Sequence, residues 1–220
     1  MAAFAFAADA KADGVELDVR QCKSAEVVVL HDIDLWRMTR ERDSRLVADL
    51  EWSELRHLDL GAGTHPSLLS EVLDFAEQRG FRVNVEMKRD LLPEKQWQWR
   101  ERMALVRSVA ALVRGRSQIC VSSFDPFMLL ALGRLAPETA RCVLFHQGQA
   151  RYLPWDLAAL GGFEGFNAEH TMISRYSVGF AHSRGAVVNT WTVNTATEIA
   201  LMDACGVDGV ITDRPDLFAR

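Results

Sequence analysis

The chain has 220 residues, of which 49% are hydrophobic and 25% charged, as in one medium-sized globular domain with a large core. Its formal net charge of −5 disfavours a general nucleic-acid binder, since no basic excess is available to neutralise phosphates. Because the sequence shows neither an apolar run near the roughly 20 residues of a membrane span nor the basic start of a signal peptide, we expect a cytoplasmic protein with no transmembrane segment.

The first strong pattern along the chain predicts a β-hairpin. From position 15 to 20, apolar residues alternate with charged ones, and this strand period places Glu16 and Asp18 on one face. A second β-branched run over 27–30 ends at His31. The link between the runs is shorter than the dozen or so residues of a parallel crossover, so we predict an antiparallel pair. The pairing predicts that Glu16, Asp18 and His31 lie together, which suits a metal ion and a proton-transfer group; a solvated hairpin edge is the alternative.

Strands and helices then alternate along the chain. Further strands are predicted over 81–88, 118–124, 141–146, 165–170, 186–194 and 207–212, and helices over 2–12, 49–60, 67–79, 97–114, 127–135, 154–160, 174–184 and 195–205. This alternation is typical of an α/β fold with parallel strands joined by helices. With the first hairpin strand, seven strands would be parallel, one fewer than in a TIM-type barrel, whose site lies at the C-terminal strand ends. A doubly wound open sheet is the alternative, although no Gly-x-Gly-x-x-Gly turn follows any strand.

Six short motifs together resemble one enzyme family. They are Asp-Gly-Val-Glu-Leu-Asp-Val at 13–19, Val-Val-Leu-His-Asp at 28–32, Val-Glu-Met-Lys at 85–88, Ser-Ser-Phe-Asp-Pro at 122–126, Thr-Trp-Thr-Val-Asn at 190–194 and Gly-Val-Asp-Gly-Val-Ile-Thr-Asp-Arg-Pro at 206–215. In order and rough spacing they are similar to the motifs of the glycerophosphodiester phosphodiesterases. The resemblance implies a TIM-type barrel that cleaves glycerophosphodiesters to glycerol 3-phosphate and an alcohol with the help of a divalent metal.

The resemblance also implies roles for individual residues. Glu16, Asp18 and Glu86 would bind the metal, His31 would be one of a general acid/base pair, and Lys88 would contact the phosphate. Hard carboxylate oxygens suit Mg²⁺ or Ca²⁺, and a bound metal can polarise a phosphate oxygen. A lysine supplies a point charge for phosphate, and a histidine can transfer a proton near neutral pH.

Four further residues near predicted strand ends are weaker site candidates. Phe124 and Trp191 are expected to form part of the substrate-binding wall, where an aromatic ring can pack against the glycerol. Glu169 and His170 fall near a position where family members carry a small polar motif. The other histidines, including His146, are expected to have ordinary surface or core roles.

The resemblance further implies that the domain, residues 1–220, is incomplete at its N-terminus. In the family, a strand with a His-Arg-Gly motif and then a Glu-Asn-Thr motif precede the helix that residues 1–4 resemble. A barrel strand, a histidine, an arginine and a glutamate ligand would then be absent. Because loss of a general acid or base costs about 10²–10⁴ in rate, we expect impaired or absent catalysis. We also expect self-association through the open barrel edges.

Two alternatives to the enzyme assignment stay open from the sequence. One is a catalytically inactive relative or a module that only binds a phosphate ligand. The other is a sphingomyelinase-like or phosphoinositide-specific lipase, since related barrels share the layout of histidine and acids.

Overall fold

The computed structural model describes residues 1–61, 63–89, 99–148 and 161–218. Its centre is an eight-stranded sheet formed by β1 (Gly14–Gln21), β2 (Val27–Val29), β3 (Arg82–Met87), β4 (Ile119–Ser123), β5 (Ala140–Phe145), β6 (Gly165–Glu169), β7 (Val187–Trp191) and β8 (Gly209–Val210). The helices are α1 (Ala2–Asp9), α2 (Trp52–Leu55), α3 (Leu69–Arg79), α4 (Trp99–Val113), α5 (Pro126–Leu135), α6 (Arg175–His182) and α7 (Ala196–Cys205). The helix predicted over 154–160 lies outside the described residues.

The strand order follows the chain order, which confirms the predicted α/β fold of the TIM-barrel type. β1 pairs with β2 in antiparallel fashion, while β1 and β3 to β8 form seven parallel strands in the order β1-β3-β4-β5-β6-β7-β8. A doubly wound sheet reverses direction at a switch point. Since the parallel strands here proceed in one direction only, that alternative is wrong.

The parallel run ends at β1 on one side and β8 on the other. β2 covers only residues 19–21 of β1, and β8 pairs with β7. Among the described residues, the first part of β1 pairs only with β3, and β8 pairs only with β7, so each has one edge without a strand partner. Unpaired strand edges favour association with further strands. The expected self-association of this chain stays a prediction.

Two hydrophobic clusters hold the sheet in place. The large one lies between the helices and the outer face of the sheet, with fully buried side chains such as Val85, Met128 and Phe166. The small one lies under the hairpin and consists of Cys22, Val28, Leu30, Leu35, Val47, Leu50 and Leu55. Burial of each large apolar side chain contributes about 1.5–3 kcal/mol. Through Val28 and Leu30, the small cluster fixes β2 and the end of the hairpin, and with them the position of His31.

The largest difference from the predicted elements lies at 49–60, where one helix was expected. The chain instead forms a 3₁₀ turn at Val47–Asp49 and the one-turn helix α2, separated by Leu50 in an extended conformation. Leu50 and Leu55 are both buried in the small cluster, so tertiary packing overrides the local helical pattern. Among the described residues, no helix has the length and apolar character needed to cross a bilayer.

Candidate active site

Three carboxylates meet where β1 and β3 lie side by side. The register pairs Glu16 with Asn84 and Asp18 with Glu86, so the three acids project from the same face of the sheet. One oxygen from each of Glu16, Asp18 and Glu86 lies within 4.8 Å of the other two. The two acids predicted on β1 are thus joined by Glu86, which follows Asp18 by 68 residues in the sequence.

Lys88 directly follows β3 and supplies the positive charge of this cluster. Its Nζ lies 2.9 Å from Asp18 Oδ1 and 2.7 Å from Glu86 Oε1, and its side chain is only 16% exposed. Burial works to lower the pKa of Lys88, but the two carboxylates outweigh it and raise that pKa above its usual value. Lys88 is therefore fixed as an ammonium group at the position where Glu86 and Asp18 converge.

One ammonium does not balance three carboxylates, and the pKa values show the imbalance. Burial, reinforced by the charges of Asp18 and Glu86, raises the pKa of Glu16 to about 8. Burial also raises the pKa of Glu86, against the opposing effect of Lys88. The cluster consequently holds more negative charge than its own cation neutralises, and Glu16 retains a proton at neutral pH.

The carboxylate set fits a divalent metal. All three groups offer hard oxygen atoms, which Mg²⁺ and Ca²⁺ prefer. Glu86 Oε1 is buried, and Lys88 Nζ at 2.7 Å is its partner among the described residues. Burial and mutual repulsion raise the pKa values of Glu16 and Glu86, and a bound cation would offset the negative charge that causes this repulsion. The described residues thus form an acidic triad suited to a divalent ion.

His31 lies just after β2, at the rim of the acidic cluster. Leu30 N donates to the carbonyl of Asp18, which holds the end of the hairpin beside β1, as the antiparallel pairing predicted. The ring is 61% exposed, and its Nδ1 lies 2.7 Å from Asp32 Oδ1. Because Asp32 accepts the Nδ1 proton, the other ring nitrogen, Nε2, is left for contact with a substrate.

Two residues that the sequence analysis left without a role orient His31. Asp32 accepts from Arg37 at 2.6 and 2.9 Å; this pair and the contact with His31 lower the pKa of Asp32 to about 2. Arg20 donates to the carbonyl oxygen of His31 through Nε at 3.1 Å and Nη2 at 2.7 Å. The alternation of β1 places Arg20 on the same face as Glu16 and Asp18, so this residue could have been found from the pattern.

An aromatic wall, formed by Phe124, His146 and Trp191, lies at the ends of β4, β5 and β7. The Phe124 ring makes edge contacts with His146 at a centroid distance of 5.9 Å and with Trp191 at 5.7 Å. Trp191 Nε1 donates to the carbonyl of Asn167 at 3.0 Å, which fixes the indole ring. Phe124 and Trp191, which were expected to line the site, are in contact, and His146, for which an ordinary role was expected, packs against Phe124.

Glu169 and His170 point to different neighbours. Glu169 Oε2 accepts from the backbone N–H of Gln147 at 2.8 Å, which holds this carboxylate beside the end of β5. His170 Nε2 lies 3.8 Å from Glu198 in the first turn of α7. Glu169 is thus close to the aromatic wall, whereas His170 is paired with the helix that follows β7.

Comparison with known proteins assigns this arrangement to a family. A family model described as "Glycerophosphoryl diester phosphodiesterase family" matches residues 1–217. The chain belongs to that family. It is 32% identical over 234 residues to a glycerophosphodiester phosphodiesterase of Bacillus altitudinis, an alignment that covers 98% of this chain and 89% of that protein. It is 28% identical over 228 residues to the glycerophosphodiester phosphodiesterase of Caldanaerobacter subterraneus, with coverage of 98% and 88%.

Solved structures of the glycerophosphodiester phosphodiesterases also share the fold. The Thermotoga maritima glycerophosphodiester phosphodiesterase has a TM-score of 0.77 to this chain at 27% identity, and the match covers 98% of this chain and 88% of that one. The resemblance that the six motifs indicated is therefore confirmed, together with the TIM-type fold and the hydrolase class.

Proposed function

We propose that this chain is a metal-dependent phosphodiester hydrolase that cleaves glycerophosphodiesters to glycerol 3-phosphate and an alcohol. The observation that carries the proposal is the convergence of Glu16, Asp18 and Glu86 around Lys88, with His31 at the rim. Together with membership of the phosphodiesterase family, this arrangement supports chemistry at a phosphate group.

In the proposed mechanism, the three carboxylates would hold a divalent ion, which would supply Lewis-acid polarisation of the phosphate. Lys88 contributes a point charge that stabilises the negative charge developing on the phosphate. His31 transfers a proton at Nε2, while Asp32 keeps the ring in the tautomer that this step requires. Phe124 and Trp191 bind the organic part of the substrate through their rings.

The test measures release of glycerol 3-phosphate from a glycerophosphodiester, with Mg²⁺ or Ca²⁺ and after chelation. We expect metal-dependent release that falls about 10²–10⁴-fold in His31→Gln. Because His31 is 61% exposed, this variant should keep the melting temperature of the parent chain. His57→Gln, an exposed histidine that pairs with Arg56, is the matched control and should retain the parent rate.

Each outcome separates the proposal from its alternatives. Binding of the diester without turnover would contradict the enzyme and support the phosphate-binding module. Equal rates in the parent and His31→Gln would contradict the role of this histidine.

A further inference from the structure

Ser122 on β4 carries a buried hydroxyl group with no hydrogen-bond partner among the described residues. Its side chain is fully buried, and its Oγ neither donates to nor accepts from a described atom. A buried polar group without a partner costs free energy of folding, so the great majority of such groups in native structures meet a protein atom, a ligand or a bound water. Ser122 therefore calls for a partner other than the described side chains and backbone.

The register of the sheet places this hydroxyl beside the acidic cluster. Asp18 on β1 pairs with Glu86 on β3, and Glu86 pairs with Ser122 on β4, so these three residues form one row across neighbouring strands. Paired residues of neighbouring strands project to the same face of a sheet, and such strands lie about 4.8 Å apart. The hydroxyl of Ser122 thus lies next to the Glu86 side chain, yet forms no hydrogen bond with it.

The adjacent serine shows that a buried hydroxyl at this strand end can find partners within the fold. Ser123 is also fully buried, but its Oγ donates to the carbonyl of Met87 at 2.9 Å and accepts from the backbone N–H of Asp125 at 3.1 Å. Because side chains alternate along a strand, Ser123 faces away from the acidic cluster. Of the two serines, the one on the face of the cluster is the one left without a partner.

The neighbours of Ser122 on the other side do not supply its partner. Cys142 on β5 pairs with Ser122, and Gly165 on β6 follows in the same row. A thiol is a weak hydrogen-bonding group, and a glycine has no side chain. A Cβ at Gly165 would lie 2.6 Å from Cys142 Sγ, so this thiol leans over β6 rather than towards Ser122. We therefore expect the partner of Ser122 on the side of Glu86.

A divalent ion at the three carboxylates would bring such a partner. Mg²⁺ and Ca²⁺ take about six to eight oxygen ligands, so three carboxylates leave positions for water and for the substrate. A water bound to a cation uses a lone pair for the ion and has its protons left to donate. A serine oxygen offers two lone pairs as acceptors. Groups that hydrogen-bond to the ligands of a metal orient those ligands and strengthen metal binding.

We propose that Ser122 is a positioning residue of the metal centre, whose hydroxyl oxygen accepts a hydrogen bond from a water molecule bound to the divalent ion. The inference rests on the proposed phosphodiesterase function, which assigns the ion to Glu16, Asp18 and Glu86. It adds β4 to the two strands that hold the ion and gives the unpartnered hydroxyl a role.

The experiment measures the binding of Mn²⁺, which prefers the same oxygen ligands as Mg²⁺ and gives a paramagnetic resonance signal when free. We expect Ser122→Ala to raise the Kd for Mn²⁺ about tenfold, as does removal of other groups that orient a metal ligand. With a chelator present, the urea midpoint of Ser122→Ala should equal or exceed that of the parent, because the change removes a buried hydroxyl without a partner. A merely structural role would give a lower midpoint and an unchanged Kd.

Ser123→Ala is the matched control, one residue away on the same strand. It removes the hydrogen bonds to Met87 and Asp125, so it should lower the urea midpoint and keep the parent's Kd for Mn²⁺. A second readout counts the waters on the ion through the broadening of the bound Mn²⁺ signal in water enriched in the magnetic oxygen isotope. We expect the same count in the parent and in Ser122→Ala. One more water in the variant would show that Ser122 binds the ion directly and would overturn the proposed hydrogen bond to water.

Two further outcomes would contradict the role of Ser122. One is an equal Kd for Mn²⁺ in the parent and in Ser122→Ala. The other is a raised Kd together with a lower urea midpoint in the presence of chelator, because damage to the fold would then explain the weaker binding.

Failure of this proposal can be told apart from failure of the proposed function. Weaker Mn²⁺ binding in Ser122→Ala without release of glycerol 3-phosphate by the parent would contradict the hydrolase function and leave the role of Ser122 in place. Metal-dependent release by the parent with equal Mn²⁺ binding in the variant would leave the hydrolase function in place and contradict the role of Ser122. A parent chain that binds no Mn²⁺ would contradict both.

Discussion

Replacing Glu16 by glutamine should make the metal-free protein less sensitive to alkaline pH. The pKa of Glu16 is about 8 in the fold, against 4.5 for an unperturbed glutamate, because burial and the charges of Asp18 and Glu86 disfavour the carboxylate. The folded state therefore binds more protons than the unfolded chain between these two values. Its stability is highest below pH 4.5 and falls as the pH rises towards 8.

The magnitude follows from the two pKa values. At about 1.4 kcal/mol for each unit of pKa shift, the deprotonation of Glu16 lowers the free energy of unfolding by about 5 kcal/mol in all. About 3–4 kcal/mol of this decrease occurs between pH 5 and pH 8, because the folded and unfolded states differ most in bound protons there. Glutamine resembles the protonated glutamate in shape and does not titrate. The free energy of unfolding of Glu16→Gln should therefore equal that of the parent near pH 5 and exceed it by about 3–4 kcal/mol at pH 8.

The assay is urea unfolding at a series of pH values in the presence of a chelator, with midpoints and slopes fitted for each protein. Other carboxylates titrate in both proteins, so the difference curve isolates Glu16. Glu41→Gln, at an exposed position, is the control and should follow the parent. A difference curve that is flat from pH 5 to pH 8 would refute the electrostatic reasoning.

Three further predictions concern other parts of the fold. Asp125 caps α5, pairs with Arg102 and is only 1% exposed. Asp125→Ala should therefore lower the free energy of unfolding, measured in urea, by about 2–4 kcal/mol. Asp125→Asn keeps the oxygen that accepts the cap hydrogen bond and should lower it less. A Cβ at Gly14 would lie 2.5 Å from a carbonyl oxygen of β3, so Gly14→Ala should lower the free energy of unfolding by about 1–3 kcal/mol. Gly179 lies on α6 with no atom near its Cβ position, so Gly179→Ala should raise that free energy by about 0.5–1 kcal/mol. The unpaired edges should cause concentration-dependent association in sedimentation experiments, and a monomer at every concentration would contradict this.

Much of the site could be predicted from the strand periods of the hairpin and from the short segment that joins its two strands. Alternation alone placed Glu16 and Asp18 on one face, and the hairpin brought His31 towards them. The register that sets Glu86 opposite Asp18 could not be derived in this way, because it depends on pairing between distant strands. The resemblance to a family supplied Glu86 and Lys88, and the structure shows how closely these two side chains approach Glu16 and Asp18.

The features that sequence reasoning missed arise from tertiary contacts. Local pattern shows that His146 ends a strand, but only the curl of the sheet brings its ring against Phe124, which lies on the neighbouring strand. Asp32 is adjacent to His31 in sequence, yet its role depends on Arg37, which comes from the irregular segment after the hairpin. Side-chain orientation in such segments is set by packing and charge rather than by period.

Lys88 explains how this acidic cluster can fold without a metal and still serve a phosphate. Its ammonium lies within 3 Å of both Asp18 and Glu86, and Glu16 keeps a proton at neutral pH, so the excess negative charge is largely offset within the protein. A divalent ion at the three carboxylates would replace both the proton and much of this ion pairing. Lys88 would then have hydrogen-bond donors free for the phosphate oxygens. The same residue thus stabilises the cluster before binding and the substrate afterwards, and neither role requires it to leave the end of β3.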